Sequence, residues 1–187
     1  MSSCSFTGHR CDLLYGWNID IKEYKILAQI IAKHCRELIK KKNVSKFYTG
    51  GALGFDTVAF WTINYLKKEF PNIKNVLCIP FEGYNKNWYN KADIERFHRM
   101  LSVADEIIYV NKMPGYETVI VDSENVTKEE ANVMLERRNH FMIDESYHLI
   151  SCWNGIKKRG TFKTIKYAEN KKKKIININP KEVYAYI

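Results

Sequence analysis

Apolar positions along the chain alternate between two spacings. Short apolar runs typical of buried strands fall at 4–6, 46–49, 75–79, 106–110, 149–153 and 174–178. Between them, apolar residues recur every three to four positions, which predicts helices at 20–38, 52–70, 92–101, 127–143 and 161–170. Strands that alternate with helices predict an α/β fold, with a doubly wound, mostly parallel sheet of about six strands and helices on both faces.

Two of the predicted helix starts carry a capping-box pattern. Asp20 is followed three residues later by Glu23, and Thr127 is followed in the same way by Glu130. In this pattern the side chain of the first residue accepts a hydrogen bond from the backbone N–H of the fourth. The side chain of the fourth residue accepts one from the backbone N–H of the first. We therefore expect helices to begin at both places.

The segment 112–127 interrupts the alternation of strands and helices. It contains Pro114-Gly115 and an apolar run at 118–121, which predicts either a small extra strand or part of a lid. The sequence shows no linker and no internal repeat. We therefore expect a single domain over 1–187, with a lid or insertion at 112–127.

Composition excludes several classes of protein. No apolar run approaches the roughly 20 residues that span a bilayer, and the N-terminal residues lack the pattern of a secretory signal. The five cysteines are scattered and form no CxxC pair, so neither a disulfide framework nor a zinc site is favoured. We expect a reduced, cytoplasmic protein with no metal centre and no membrane partner.

The formal net charge of +9 is concentrated in lysine runs at 40–42 and 171–174. Each run ends a predicted helix, where lysine complements the helix dipole. The alternative is a footprint for weak, non-specific nucleic-acid binding. In either case the charge would help to hold an anionic ligand.

The turn after the second predicted strand, TGGALGFD at 49–56, is the most informative motif. Gly50, Gly51 and Gly54 permit positive φ and close approach of a ligand to the backbone. Free N–H groups at the start of the following helix attract anions. No Lys-Ser or Lys-Thr follows, so the turn is not a Walker A loop. Alone, it fits a tight structural turn equally well.

Glycine, hydroxyl, cationic and aromatic residues also follow the other predicted strands. Because the carboxyl ends of parallel strands meet at one edge of the sheet, where ligands bind, these residues together support a binding site better than one turn does. The candidate ligand-binding residues are Thr7, Gly8, His9, Arg10, Gly50, Gly51, Ala52, Gly54, Asp56, Pro80, Phe81, Trp88, Arg138, Asn139, Asn154, Gly160, Thr161 and Thr164. None is assigned a catalytic or metal-binding role.

Several candidates have two chemical interpretations. Arg10 clamps a phosphate or pairs with a surface carboxylate. Asp56 binds ribose hydroxyls or favours the dipole of its helix. Phe81 and Trp88 stack on a base or pack as a lid. Gly160-Thr161, at a predicted helix start, forms a seat for phosphate.

In this order the motifs resemble the SLOG superfamily, specifically its YspA/YpsA-like branch, over almost the whole chain. The resemblance implies a Rossmann-like domain that binds a nucleotide-derived molecule, such as an ADP-ribose-, NAD- or dinucleotide-type signal, with no required cofactor. We also expect a homodimer or a higher homo-oligomer. The segments that carry the resemblance are 7–10, 50–56, 80–81 with Trp88, 104–106, 138–144, and 160–161 with Thr164 and 167–168.

Two sets of relatives in the superfamily define the alternatives. LOG enzymes resemble this chain at Arg138 and carry a glutamate in a PGGxGTxxE motif. Here the Pro-Gly-Gly is absent and Thr164 stands where the glutamate would be. We therefore expect a protein that senses or sequesters its ligand. A nucleotide N-glycosidic hydrolase of LOG type and DprA-like binding of single-stranded DNA are the alternatives.

Overall fold

The computed structural model describes residues 2–118 and 125–186, and six strands lie within them. The strands are β1 Ser2–Gly8, β2 Val44–Thr49, β3 Lys74–Ile79, β4 Glu106–Tyr109, β5 His148–Cys152 and β6 Lys174–Ile178. They form one sheet in the order β4-β3-β2-β1-β5-β6, and every neighbouring pair is parallel.

Helices connect the strands and cover both faces of the sheet. The α-helices are α1 Lys22–Lys42, α2 Phe55–Leu66, α3 Lys91–Val103, α4 Lys128–Asp144 and α5 Arg159–Asn170. Short 3-10 helices span Cys11–Leu13, Val110–Lys112 and Pro180–Tyr186. The buried residues of α1, α2 and α3 pack on one face, and those of α4 and α5 pack on the other. The predicted Rossmann-like α/β fold is thus confirmed.

The strand order reverses at β1. The chain moves outward from β1 through β2 and β3 to β4, then returns to lay β5 on the other side of β1, with Gly8 paired to Cys152. In open α/β sheets such a reversal leaves a crevice beyond the carboxyl ends of the two central strands, and ligands bind there. The strand order therefore predicts a ligand site beyond the carboxyl end of β1.

The helix starts agree only in part with the capping patterns. Thr127 and Glu130 form the predicted capping box at the start of α4. The prediction for Asp20 is wrong: α1 begins at Lys22, and its N-cap, Ile21, makes no side-chain hydrogen bond. The Asp20 backbone N–H instead donates to Asn18 Oδ1 at 3.1 Å, so a local turn precedes the helix.

Three further observations bear on the sequence predictions. The apolar run predicted as a small strand falls, apart from Thr118, outside the described residues. No helix among the described residues has the length and apolarity needed to cross a membrane. The described parts of the chain contain no cluster of three or more His, Cys, Asp or Glu side chains that could hold a metal ion.

Candidate functional site

A cavity of about 420 Å³ lies beyond the carboxyl end of β1, between α4 and α5. We call it the main cavity because of its position at the strand ends, and its volume is within the range of small-molecule sites in proteins. It is lined by Thr7, Gly8, His9, Arg10, Leu13, Ala52, Asp56, Asn132, Leu135, Glu136, Arg138, Asn139, His140, Arg159, Gly160, Thr161, Lys163 and Thr164.

The loop that follows β1 forms the first wall. His9 is buried, and its Nε2 accepts a hydrogen bond from the Asn154 backbone N–H at 3.2 Å. Because Nε2 accepts, the ring is neutral and carries its proton on Nδ1. Burial also favours the neutral ring, since it lowers the pKa of His9. The His9 backbone also donates to Cys152 O and accepts from the Phe55 N–H. His9 therefore fixes the end of β1 against β5 and α2.

The glycine turn serves internal packing. A Cβ at Gly50 would collide with the Arg138 guanidinium. Gly54 has φ +101°, and a Cβ there would lie 2.7 Å from the His9 carbonyl oxygen. Gly51 has φ +68° and lies against the side chains of α3 and β3. The close approaches recorded at these glycines are thus to the protein itself.

A buried ion pair forms the floor of the main cavity. Arg138 Nη1 lies 3.7 Å from Asp56 Oδ2, and the two side chains are 4% and 9% exposed. Arg138 also donates to the Gly50 carbonyl, while its Nε has no hydrogen-bond partner among the described residues. Burial raises the pKa of Asp56, and the nearby cations of Arg138 and Arg10 oppose that rise only in part. Arg138 therefore still has a donor that it can offer to a ligand at the floor of the cavity.

The first turn of α5 forms the opposite wall. Lys158, the N-cap, makes no side-chain hydrogen bond, so no side chain at that position occupies the N–H groups of the first turn. A Cβ on Gly160 would meet no atom within 4 Å among the described residues outside its own turn. Thr164 Oγ1 donates to the Gly160 carbonyl at 2.9 Å and accepts from Asn139 Nδ2 at 3.0 Å. These bonds hold α4 and α5 together beneath an open backbone surface.

Cationic side chains at the rim are held by exposed contacts. Arg159 pairs with Asp12 at 2.6 Å, and Lys163 pairs with Glu136 at 3.3 Å. Arg159 also has φ +66°, a left-handed conformation that is unfavourable for a residue with a Cβ. Exposed pairs of this kind contribute only about 0–1 kcal/mol, so an anionic ligand can displace either carboxylate at small cost.

The sequence comparisons place the chain in a known family. The family model described as the YspA SLOG family matches residues 4–183. This chain belongs to the YspA SLOG family. It is 39% identical over 146 residues, 78% of each chain, to the SPbeta prophage-derived protein YoqJ of Bacillus subtilis (strain 168), itself described as uncharacterized.

Two UPF0398 proteins are more distant relatives of this SLOG chain. The one from Ligilactobacillus salivarius (strain UCC118) is 26% identical over 106 residues, 57% of each chain. The one from Oenococcus oeni (strain ATCC BAA-331 / PSU-1) is 24% identical over 89 residues, which is 48% of this chain and 47% of that protein.

The candidate residues divide into two groups. Those that line the main cavity are Thr7, Gly8, His9, Arg10, Ala52, Asp56, Arg138, Asn139, Gly160, Thr161 and Thr164. Those that lie outside its lining are Gly50, Gly51, Gly54, Pro80, Phe81, Trp88 and Asn154. In the second group, Trp88 packs against Phe97 and Tyr84, and the Pro80 carbonyl accepts from the Asn111 N–H.

Sequence reasoning missed part of the lining. The additional residues are Leu13, Asn132, Leu135, Glu136, His140, Arg159 and Lys163. Helical spacing could have predicted three of them, because positions 132, 135 and 136 lie on the same helix face as the candidate Asn139. No pattern in the sequence marks Arg159, whose position depends on how α5 begins.

Proposed function

We propose that this SLOG protein binds a nucleotide-derived small molecule, such as an ADP-ribose-, NAD- or dinucleotide-type signal, in the main cavity. The observation that carries the proposal is that four cationic side chains and the accessible first turn of α5 line one cavity. The cations are Arg10, Arg138, Arg159 and Lys163. Among the described residues, only two carboxylates, of Asp56 and Glu136, line the same cavity.

The chemistry of these walls suits a phosphate-bearing ligand. Guanidinium groups form charge-assisted, bidentate hydrogen bonds to phosphate, and helix N-termini attract anions. Gly160 leaves the backbone of the first turn accessible, since no other described residue comes near its Cβ position. Asn132 and Asn139 add amide groups that can bind hydroxyls or base edges.

The same walls favour retention of the ligand over its cleavage. Thr164, in place of the LOG glutamate, is engaged with Asn139 and the Gly160 carbonyl. A guanidinium cannot act as a general base, because it stays protonated. The two lining carboxylates are each paired with a cation. Sensing or sequestration is therefore the proposed role, and sequestration would suit a chain whose relative YoqJ is prophage-derived.

Ligand-induced stabilisation and mass spectrometry test the proposal. A ligand at 100 times its dissociation constant adds about 2.7 kcal/mol, which for a chain of this size raises the melting temperature by roughly 5–11 °C. We expect at least one such shift in a panel of NAD, ADP-ribose, AMP, and cyclic and linear dinucleotides. Mass spectrometry of molecules released by heat from the purified protein should identify a retained ligand. A flat response to the whole panel, with nothing released, would contradict the proposal.

Chromatography separates binding from hydrolysis. After incubation with excess protein, the bound nucleotide should be recovered intact and in stoichiometric amount. Multiple turnovers that release free base, and that disappear in Arg138→Ala, would show a hydrolase instead.

Two further expectations accompany this proposal. We propose a cytoplasmic location, since all five cysteines are buried free thiols and a reducing compartment suits them. The expected homodimer or higher homo-oligomer stays a prediction, which analytical ultracentrifugation tests.

A further inference from the structure

A second, smaller cavity adjoins the main cavity across Arg10. It measures about 130 Å³ and lies beyond the end of β3, between the loop that contains Phe81 and Tyr84 and the start of α4. Ala131 of α4 lines this second cavity, and the next residue, Asn132, lines the main one. Arg10 lines the main cavity, and its Nη2 lies 3.4 Å from the hydroxyl of Tyr84, a residue that lines the second cavity. One cationic side chain therefore stands between the two spaces.

The wall of the second cavity is a braced aromatic surface. Tyr84 packs edge to face on Phe81, with ring centroids 6.0 Å apart. It also packs edge to face on Trp88 at 5.7 Å and on Phe97 at 6.0 Å. Contacts on several sides hold the Tyr84 ring in place, so its position does not depend on a ligand. Aromatic faces of this kind bind nucleobases by stacking.

The size of the second cavity indicates a subsite. Complete small-molecule sites usually measure about 300–1,000 Å³, and this space is well below that range. It is suited to one planar ring, and Asn87 is among its lining residues, with an amide that can meet polar ring atoms. A ring there has to be connected to a larger ligand in the main cavity, and the connection passes Arg10.

We propose that the two cavities form one bipartite site for a dinucleotide, meaning two nucleoside halves joined through phosphate. One half occupies the main cavity, the bridging phosphate lies on Arg10, and the second ring enters the cavity beside Tyr84. This inference rests on the proposed function and narrows it, because a mononucleotide would leave the second cavity empty.

A cavity-filling substitution tests the bipartite site. Ala131→Leu adds bulk to the second cavity at a half-exposed helix position where leucine is a good helix former. Val133→Leu is the matched control, since Val133 is 46% exposed on the same helix and lines neither cavity. Calorimetry would compare AMP with NAD and with linear and cyclic di-AMP, and melting curves would verify that both variants are folded.

The expected pattern separates this inference from the proposed function. In the native protein at least one dinucleotide should bind at least tenfold more tightly than AMP. Ala131→Leu should remove that gain and leave AMP binding unchanged, while Val133→Leu alters neither. Equal affinities for AMP and every dinucleotide, or full dinucleotide affinity in Ala131→Leu, would overturn the bipartite site and leave nucleotide binding standing. Absence of binding by every probe to the native protein would overturn both.

Discussion

Gly54 and Gly160 stand in opposite surroundings, and the contrast predicts different effects of the same substitution. Gly54 has φ +101° and no room for a Cβ, whereas in the described part of the chain nothing outside its own turn lies within 4 Å of a Cβ on Gly160. Gly54→Ala should therefore lower the free energy of unfolding by more than about 1 kcal/mol. Gly160→Ala should leave it unchanged or raise it by up to about 1 kcal/mol, because alanine is the better helix former. Urea denaturation measures both values.

Ligand binding should show the reverse order of effects. Gly160→Ala places a methyl group where the ligand approaches the first turn of α5. The Gly160→Ala protein should therefore bind the ligand more weakly, although its fold is retained. Equal destabilisation by the two substitutions would mean that Gly160 also has a structural role.

Arg159 combines an unfavourable backbone conformation with an exposed ion pair. The left-handed region costs a residue with a Cβ about 1–2 kcal/mol, and Arg159 has φ +66°. Arg159→Gly relieves that cost, whereas Arg159→Ala retains it, and both lose the pair with Asp12. We expect the glycine variant to be more stable than the alanine variant by about 1 kcal/mol.

Affinity distinguishes a ligand-binding Arg159 from a structural one. If Arg159 exchanges Asp12 for the phosphate of a ligand, both variants should bind the ligand more weakly by a similar factor, despite their different stabilities. Asp12→Asn should strengthen binding, because it removes the competing carboxylate. Unchanged affinity in all three variants would exclude Arg159 from the site.

At the scale of elements, the alternation of apolar runs was sufficient to predict the strands, the helices and the edge where they converge. The four inner strands each bury several apolar residues that their sequences display, whereas the edge strands β4 and β6 each bury one, Ile108 and Ile178. The walls of the site were harder to predict, because they depend on long-range contacts. Gly50 is glycine because Arg138, 88 residues away, occupies the space beside it. No local pattern carries that information.

The end of α4 is connected to its neighbours through Asp144. The hydroxyls of Tyr116 and Tyr167 donate to Asp144 Oδ2 at 2.6 and 2.8 Å, and Lys171 Nζ lies 3.1 Å from Oδ1. Burial acts to raise the pKa of Asp144, but these donors outweigh it and lower the pKa below the usual 3.8. The charged form is thus more favourable in the folded protein than in the unfolded chain.

This network predicts a pH-dependent loss of stability in Asp144→Asn. Hydrogen bonds to a charged group contribute about 1.5–3 kcal/mol, so the variant should lose stability of that order at pH 7. Because the native pKa is lowered, the stabilisation is present above pH 3.8 and disappears as pH falls through the native value. The stabilities of the two proteins should therefore converge in acid. Glu145→Gln, at an exposed neighbouring position, is the control and should show little effect.

At the scale of the whole molecule, the reversal of strand order determines where chemistry can occur. The outward and returning halves of the sheet meet at β1 and β5. Their helices approach from opposite faces, and α4 and α5 leave the main cavity between them. The net charge of +9 does not by itself define a partner, and its two lysine runs lead into β2 and β6, away from the carboxyl ends of the strands. Whether that charge also binds nucleic acid is a separate question, answered by its dependence on salt.

The second lysine run is partly engaged in the fold, and this limits how strongly it can bind DNA. Lys171 pairs with Asp144, and Lys173 Nζ donates to the carbonyls of Asp144 and Ser146. We expect weak, non-specific binding of single-stranded DNA. With about four phosphate contacts, affinity should fall by roughly 50-fold between 50 and 200 mM salt through counterion release. Fluorescence anisotropy with a labelled oligonucleotide measures this salt dependence. Replacing the exposed Lys41 and Lys42 with Gln should weaken binding and reduce the salt slope, because each lysine that contacts a phosphate contributes to both. Tight binding that resists salt would favour the DprA-like alternative, because it would require base stacking or a dedicated groove in addition to charge.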